Sequence, residues 1–222
     1  MRHFPSDKYN LAWFKLAECV TRGEKERALG VYRLLSHSID DKAYALKLEG
    51  DILSSFNDLA AHERYRAALL AYREQGRVQE AIGISEYLLS IDNHDMEVLE
   101  QLLNLYKQTG SEKQLARIGA QFLVLLIKNN QFDVLEKHLQ EYCRLLEVPE
   151  VSDLMRIACG HYVMVKHAPM PIGEFLLNIT LIGLLRHENP HELQQFLTQL
   201  STENEDYYLL ALEQLAEKKV KE

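Results

Sequence analysis

The feature that most constrains this chain is a helical hydrophobic period that runs almost from end to end. Apolar residues return at intervals of three and four, and no alternating stretch long enough for a half-buried strand interrupts them. The pattern predicts helices at about 8–22, 24–37, 41–55, 58–75, 77–90, 94–109, 111–128, 130–146, 150–165, 172–187, 190–200 and 204–219. Such short segments joined by tight connections predict antiparallel helix pairs. With 10 glycines and 5 prolines in 222 residues, the chain lacks the turn residues that an all-β fold of this size would need. A 47% hydrophobic content supports a true core.

The helical pattern also repeats. At an offset of 33, Trp13 aligns with Leu46, Ala17 with Gly50, Val20 with Leu53, Ala28 with Ala61, Tyr32 with Tyr65 and Leu35 with Ala68. At an offset of 34, Tyr72 aligns with Tyr106, Gly76 with Gly110, Ala81 with Leu115, Leu88 with Phe122 and Leu89 with Leu123. Small residues recur where helices must approach closely, and large ones where space must be filled. Gly76 and Gly110 fall just past a helix, where a positive φ suits glycine. Trp13, Ala28, Tyr65, Ala68, Tyr72 and Tyr106 are therefore expected to pack between helices.

In spacing and residue type these units resemble the tetratricopeptide repeat. The first carries Trp13, Leu16, Ala17, Val20, Gly23, Ala28, Tyr32 and Leu35. The second carries Leu46, Gly50, Leu53, Ala61, Tyr65 and Ala68. A later one carries Leu99, Leu102, Leu103, Tyr106, Gly110, Leu115, Gly119 and Phe122. The resemblance covers residues 9 to 128 and implies an all-α, right-handed superhelix of helix pairs. The segment 58–75 reads both as the second helix of one repeat and as the first of the next. Past 128 the pattern loosens, and Pro149, Pro169 and Pro171 punctuate it. The expected organisation is TPR-like repeats over 1–148 and a divergent helical cap over 149–222, which a stack needs to cover its last apolar face.

Several functional classes are disfavoured. The formal charge of −8 and the lack of a dense basic run speak against nucleic-acid binding. The most apolar stretch, 171–185, is too short to span a bilayer and carries Glu174 and Asn178, and the first residues lack the apolar run of a secretory signal. Cys19, Cys143 and Cys159 form no paired pattern and read as reduced, mostly buried thiols of a cytoplasmic protein. His187-Glu188-Asn189-Pro190-His191 matches the zinc-protease pattern. That chemistry needs both histidines on one continuous helix, which Pro190 would break; Asn189-Pro190 reads as the start of a new helix. Cys159 and His161 are two apart and do not share a helical face. Asp40-Asp41 and Glu203, Glu205 and Asp206 sit at helix starts, where the dipole favours acids. No catalytic residue, metal ligand or cofactor is expected.

Proteins resembling the tetratricopeptide family bind proteins or peptides along a groove lined by the first helix of each pair. The matching positions here are Glu63, Arg66, Leu70, Arg73 and Glu74, then Glu97, Glu100, Asn104, Lys107 and Gln108. Asn104 and Lys107 alone do not build the clamp with which some family members hold a C-terminal carboxylate. Arg66 and Arg73, two turns apart on one face, are expected to contribute most to recognition. The resulting expectation is a non-enzymatic scaffold or adaptor for a protein or peptide. The alternatives are a homo-oligomeric structural protein, or an enzyme with its site in the last third. Adjacent tyrosines at 207 and 208 cannot share a face, so one of them is expected to be exposed.

Overall fold

The computed structural model describes residues 6–186 and 190–219. These residues form twelve helices and no strand: α1 (Ser6–Thr21), α2 (Lys25–Ser36), α3 (Lys42–Ser55), α4 (Ala60–Glu74), α5 (Val78–Ile91), α6 (Met96–Thr109), α7 (Glu112–Lys128), α8 (Phe132–Leu145), α9 (Val148–Tyr162), α10 (Met170–Arg186), α11 (Pro190–Glu203) and α12 (Glu205–Lys219). All twelve expected segments are present. The largest boundary differences are at the ends of α9 and α11, which stop at 162 and 203 rather than at 165 and 200. Pro149 does not hold back the start of α9 but sits in its first turn, where a missing N–H leaves no bond unmade. None of the described helices is long and apolar enough to cross a membrane.

The chain divides into two compact units, Met1–Val98 and Leu99–Glu222, with the division inside α6. The boundary expected after residue 148 thus falls within the second unit.

One kind of turn recurs. At Gly23 the glycine N–H donates to the Val20 carbonyl at 3.1 Å, and the Glu24 N–H reaches back to Cys19 at 2.9 Å. This pair of bonds uses two carbonyls that a helix end leaves unpaired, and it needs a positive φ at its centre. The same pair closes the turns at Asn57, Gly76, Gly110 and Asn130, with φ between 53° and 73° at all five. Gly76 and Gly110 meet the conformation expected of them. Asn57 and Asn130 reach it because a short amide side chain tolerates the left-handed region.

The turn positions explain why the repeat could not be phased. Gly23 and Asn57 are 34 positions apart, as are Gly76 and Gly110, but Asn57 and Gly76 are separated by α4 alone. With such a turn at each end, α4 packs on both α3 and α5. Either phase of the repeat is therefore locally satisfied. Ala28, Tyr65, Ala68, Tyr72 and Tyr106 are all buried, and Trp13 is partly buried against the cluster of Leu16, Ala28, Tyr32, Leu35 and Ile52. Ala17 is an exception: it aligns with the buried Gly50 but is exposed.

In the second unit α9 packs against α7, α8 and α10, and α10 packs in turn against α11 and α12. Buried Leu176, Leu177, Leu181 and Leu184 fill its surroundings, and small residues set its distances. A Cβ on Gly183 would lie 1.5 Å from the Ser152 Oγ of α9, and one on Gly173 would lie 1.9 Å from the Tyr207 hydroxyl of α12. Tyr207 is buried and Tyr208 only partly so: neither is fully exposed as expected of one of them, though the second is the more open.

Candidate partner-binding surfaces

Among the expected groove residues on α4, Glu63, Leu70, Arg73 and Glu74 are exposed. Arg66 is not a free donor. Its guanidinium donates to Glu97 at 2.8 Å and to Asp95. The Asp95 side chain is only 7% exposed, and its other oxygen accepts the Val98 N–H at 3.1 Å. Asp95 thus caps the start of α6 and holds Arg66 with one carboxylate, so Arg66 serves as a clasp within the first unit. Arg73 forms no ion pair among the described residues.

On α6, Glu97, Glu100, Asn104 and Gln108 are exposed. Lys107 is largely covered and donates to Glu141 of α8 at 2.6 Å. Sequence spacing placed these side chains on a common face but did not disclose that two of the three cations already have carboxylate partners.

A different surface in the first unit is concave. A cleft of about 340 Å³ opens over α4 between α3 and α5. Tyr65 and Tyr72 of α4 form its floor, Lys47 and Asp51 stand on the α3 side, and Gly83, Ile84 and Tyr87 on the α5 side. The floor is fixed because Gly50 lets the Tyr65 ring approach α3 closely: an added Cβ there would be 3.0 Å from the ring. The Tyr65 hydroxyl then donates to Asp51 at 2.9 Å, and Lys47 holds the other Asp51 oxygen at 2.6 Å. Burial first, and the bond to Asp51 second, raise the pKa of the Tyr65 phenol, which remains a neutral donor. The Tyr87 ring meets Tyr65 edge-on at 4.6 Å, and its hydroxyl lies 3.0 Å from the Ser54 Oγ. At the floor's other end the Arg77 guanidinium lies over the Tyr72 ring at 4.6 Å and pairs with Asp41 and Glu80.

On the α5 side, a Cβ added to Gly83 would meet nothing within 4 Å. The cleft therefore offers the partly exposed Tyr87 ring over the nearly buried Tyr65 and Tyr72, the charged groups of Lys47, Asp51 and Glu80, and an open backbone segment, a mix of apolar and polar groups suited to recognition. Sequence reasoning placed Tyr65 and Tyr72 in the core, where they belong by burial. It did not single out Lys47, Asp51 or Tyr87; the available signals were the four-residue Lys47–Asp51 spacing and the 33-residue spacing of Ser54 and Tyr87.

The second unit supplies counterparts to the other sequence motifs. Cys159 is buried and desolvation pushes its thiol up to about 12, whereas His161 two positions on is exposed. Cys143 is exposed rather than buried, and Cys19 is intermediate. His138 packs edge-on against Phe122 at 5.0 Å, and burial lowers its pKa toward the neutral ring. Glu112, Glu147 and Glu150 bring carboxylate oxygens within 4.8 Å of one another, at or near the starts of α7 and α9. Of the protease-like pattern, Pro190 opens α11 and His191 follows within it; His187, Glu188 and Asn189 lie outside the described residues. A scan against protein-family models finds no match to this chain, and a search of curated proteins finds none either.

Proposed function

We propose that this protein is an interaction scaffold of tetratricopeptide-like architecture, and that its first unit takes a peptide or protein segment in the cleft over α4. The observation that carries the reading is the cleft itself: three consecutive helices line one concavity, α4 and α5 with tyrosine rings, α5 also with Gly83, and α3 with Lys47 and Asp51, and hydrogen bonds hold Tyr65 and Tyr87 in place. A preformed surface loses little freedom when a segment docks, and aromatic rings give it contact area. The 34-residue spacing of like turns supports the family likeness and the right-handed superhelix that goes with it. In this reading the ladder of Glu63, Leu70, Arg73 and Glu74 lines an outer face of α4, Arg66 is a structural clasp, and Arg73 is the residue there with a side chain open to a partner. The acidic balance and the absence of a membrane-crossing helix among the described residues agree with a protein partner.

Gly83 provides the test. Gly83→Trp adds a large ring on the α5 side of the cleft, at a position whose Cβ meets no neighbour, and Gly83→Ala leaves the cleft open. Affinity capture from the source cell, read by mass spectrometry, should yield partners with the unaltered chain and with Gly83→Ala. Gly83→Trp should reduce their recovery at least about tenfold, roughly 1.4 kcal/mol, with helix content unchanged. Equal recovery with both variants would place recognition elsewhere.

A further inference from the structure

A second concavity, wholly within the second unit, lies between α8 and the start of α10 and encloses about 320 Å³. Phe132 and Leu139 line it from α8, and Pro171, Ile172 and Phe175 from α10. This apolar surface is rigid for reasons local to it. The Phe132 ring meets Tyr162 edge-on at 5.8 Å, and the Tyr162 hydroxyl donates to the Pro169 carbonyl at 2.7 Å, which pins the segment entering α10. Pro169 and Pro171 each fix a backbone angle there. Phe175 keeps 37% of its surface exposed.

The rim is electrically one-sided. Asp133 and Glu136 stand exposed on α8, three residues apart and therefore on neighbouring sides of one turn. Asp133 forms no ion pair among the described residues, and Glu136 accepts the Gln140 amide at 3.4 Å. The lining contains no lysine, arginine or histidine. The contrast within the chain is informative: Arg66 and Lys107 hold carboxylate partners of their own, whereas these two carboxylates beside an apolar cleft have no cation partner among the described residues.

We propose that this cleft docks a short amphipathic protein segment, which inserts an aromatic or aliphatic side chain between Phe132 and Phe175 and sets a lysine or arginine against Asp133 and Glu136. A purely apolar segment would strip water from two carboxylates without replacing their bonds, and an acidic one would be repelled. A basic residue beside an apolar anchor answers both parts of the surface. The site is separate from the cleft over α4, and its occupancy does not depend on that cleft's function.

The experiment uses the full chain and two short synthetic peptides. One carries phenylalanine and leucine on one helical face and arginine on the other; its twin has glutamate for every arginine. Titration by calorimetry should show the arginine peptide binding at least about tenfold more tightly, and less so at high salt. Asp133→Asn with Glu136→Gln should remove most of that preference, and Phe175→Ala should weaken binding of the arginine peptide, both with unchanged circular dichroism. Glu112→Gln with Glu147→Gln, an equal charge change elsewhere in the unit, should leave the preference intact. Absence of binding, equal binding of the two peptides, or an equal loss in both carboxylate pairs would overturn the proposal, the last by showing attraction to net charge alone.

Discussion

The two units draw on the same two kinds of helix contact in different measure: Gly50 also receives the Tyr65 ring in the first, and Lys107 also pairs with Glu141 in the second. In the first, polar contacts tie neighbouring helices: the Tyr32 hydroxyl donates to the Ala45 carbonyl at 2.8 Å, Tyr65 to Asp51 at 2.9 Å, and Lys25 pairs with Asp58 at 2.5 Å. In the second, helices meet through missing side chains. Gly119 receives Tyr142 and Leu154, Gly173 receives Tyr207, and Gly183 receives Ser152. There the buried hydroxyls of Tyr142 and Tyr207 have no hydrogen-bond partner among the described residues. Polar ties fix which groups face each other but leave room beside them, and the open cleft over α4 is such room. Close approach fixes distance and leaves no slack. The difference makes glycine-to-alanine act with opposite sign at Gly83 of the first unit and Gly183 of the second.

The largest effect is expected at the tightest crossing. Gly183→Ala would put its Cβ 1.5 Å from the Ser152 Oγ and 2.5 Å from the Ser152 Cβ. Rotating the hydroxyl away relieves the first contact but not the second, so α9 and α10 must separate. Destabilisation of about 3 kcal/mol is expected in chemical denaturation. Adding Ser152→Gly should return part of the loss, although glycine in α9 costs about 1 kcal/mol of helix propensity by itself. An unchanged transition for Gly183→Ala would show that the second unit is no tighter than the first.

A smaller effect sharpens the contrast in polar bonding. Tyr65→Phe removes a hydroxyl bonded to Asp51 and should cost about 1 kcal/mol. Tyr142→Phe removes a buried hydroxyl that has no partner and should be neutral or stabilising by up to about 1 kcal/mol. Both are read from chemical denaturation of the full chain. If Tyr142→Phe costs as much as Tyr65→Phe, the Tyr142 hydroxyl contributes as the Tyr65 hydroxyl does, and this part of the contrast fails.

Helix number and placement were legible because helices need only a local period, and Gly76 and Gly110 announced their turns. Asn57 and Asn130 did not, because asparagine takes the left-handed region only where the surrounding turn favours it. The paired state of Arg66 was invisible for a different reason. Its partners Asp95 and Glu97 are about thirty residues away, and no spacing rule on a single helix connects them. The cleft over α4 was hidden by a correct observation: Tyr65 and Tyr72 are core residues by burial, yet each also turns part of its ring to a concavity that exists only once α3 and α5 flank α4. The apolar period records that a residue is covered but not where the cover ends.

Gly83 brings the comparison to its smallest measurable term. It lies inside α5, where glycine costs about 0.5–1 kcal/mol relative to alanine because its unfolded chain has more freedom to lose. Most positions that bear this cost do so because a neighbour occupies the place of the Cβ, as at Gly50, Gly119 and Gly183. At Gly83 no atom stands within 4 Å of that place. Gly83→Ala should therefore stabilise the first unit by about 0.5–1 kcal/mol, against the loss that the same change produces at Gly183. The gain should appear in denaturation without partner present. A loss instead would mean that something packs on the α5 wall in the free protein, and that the cleft over α4 is closed until a partner displaces it.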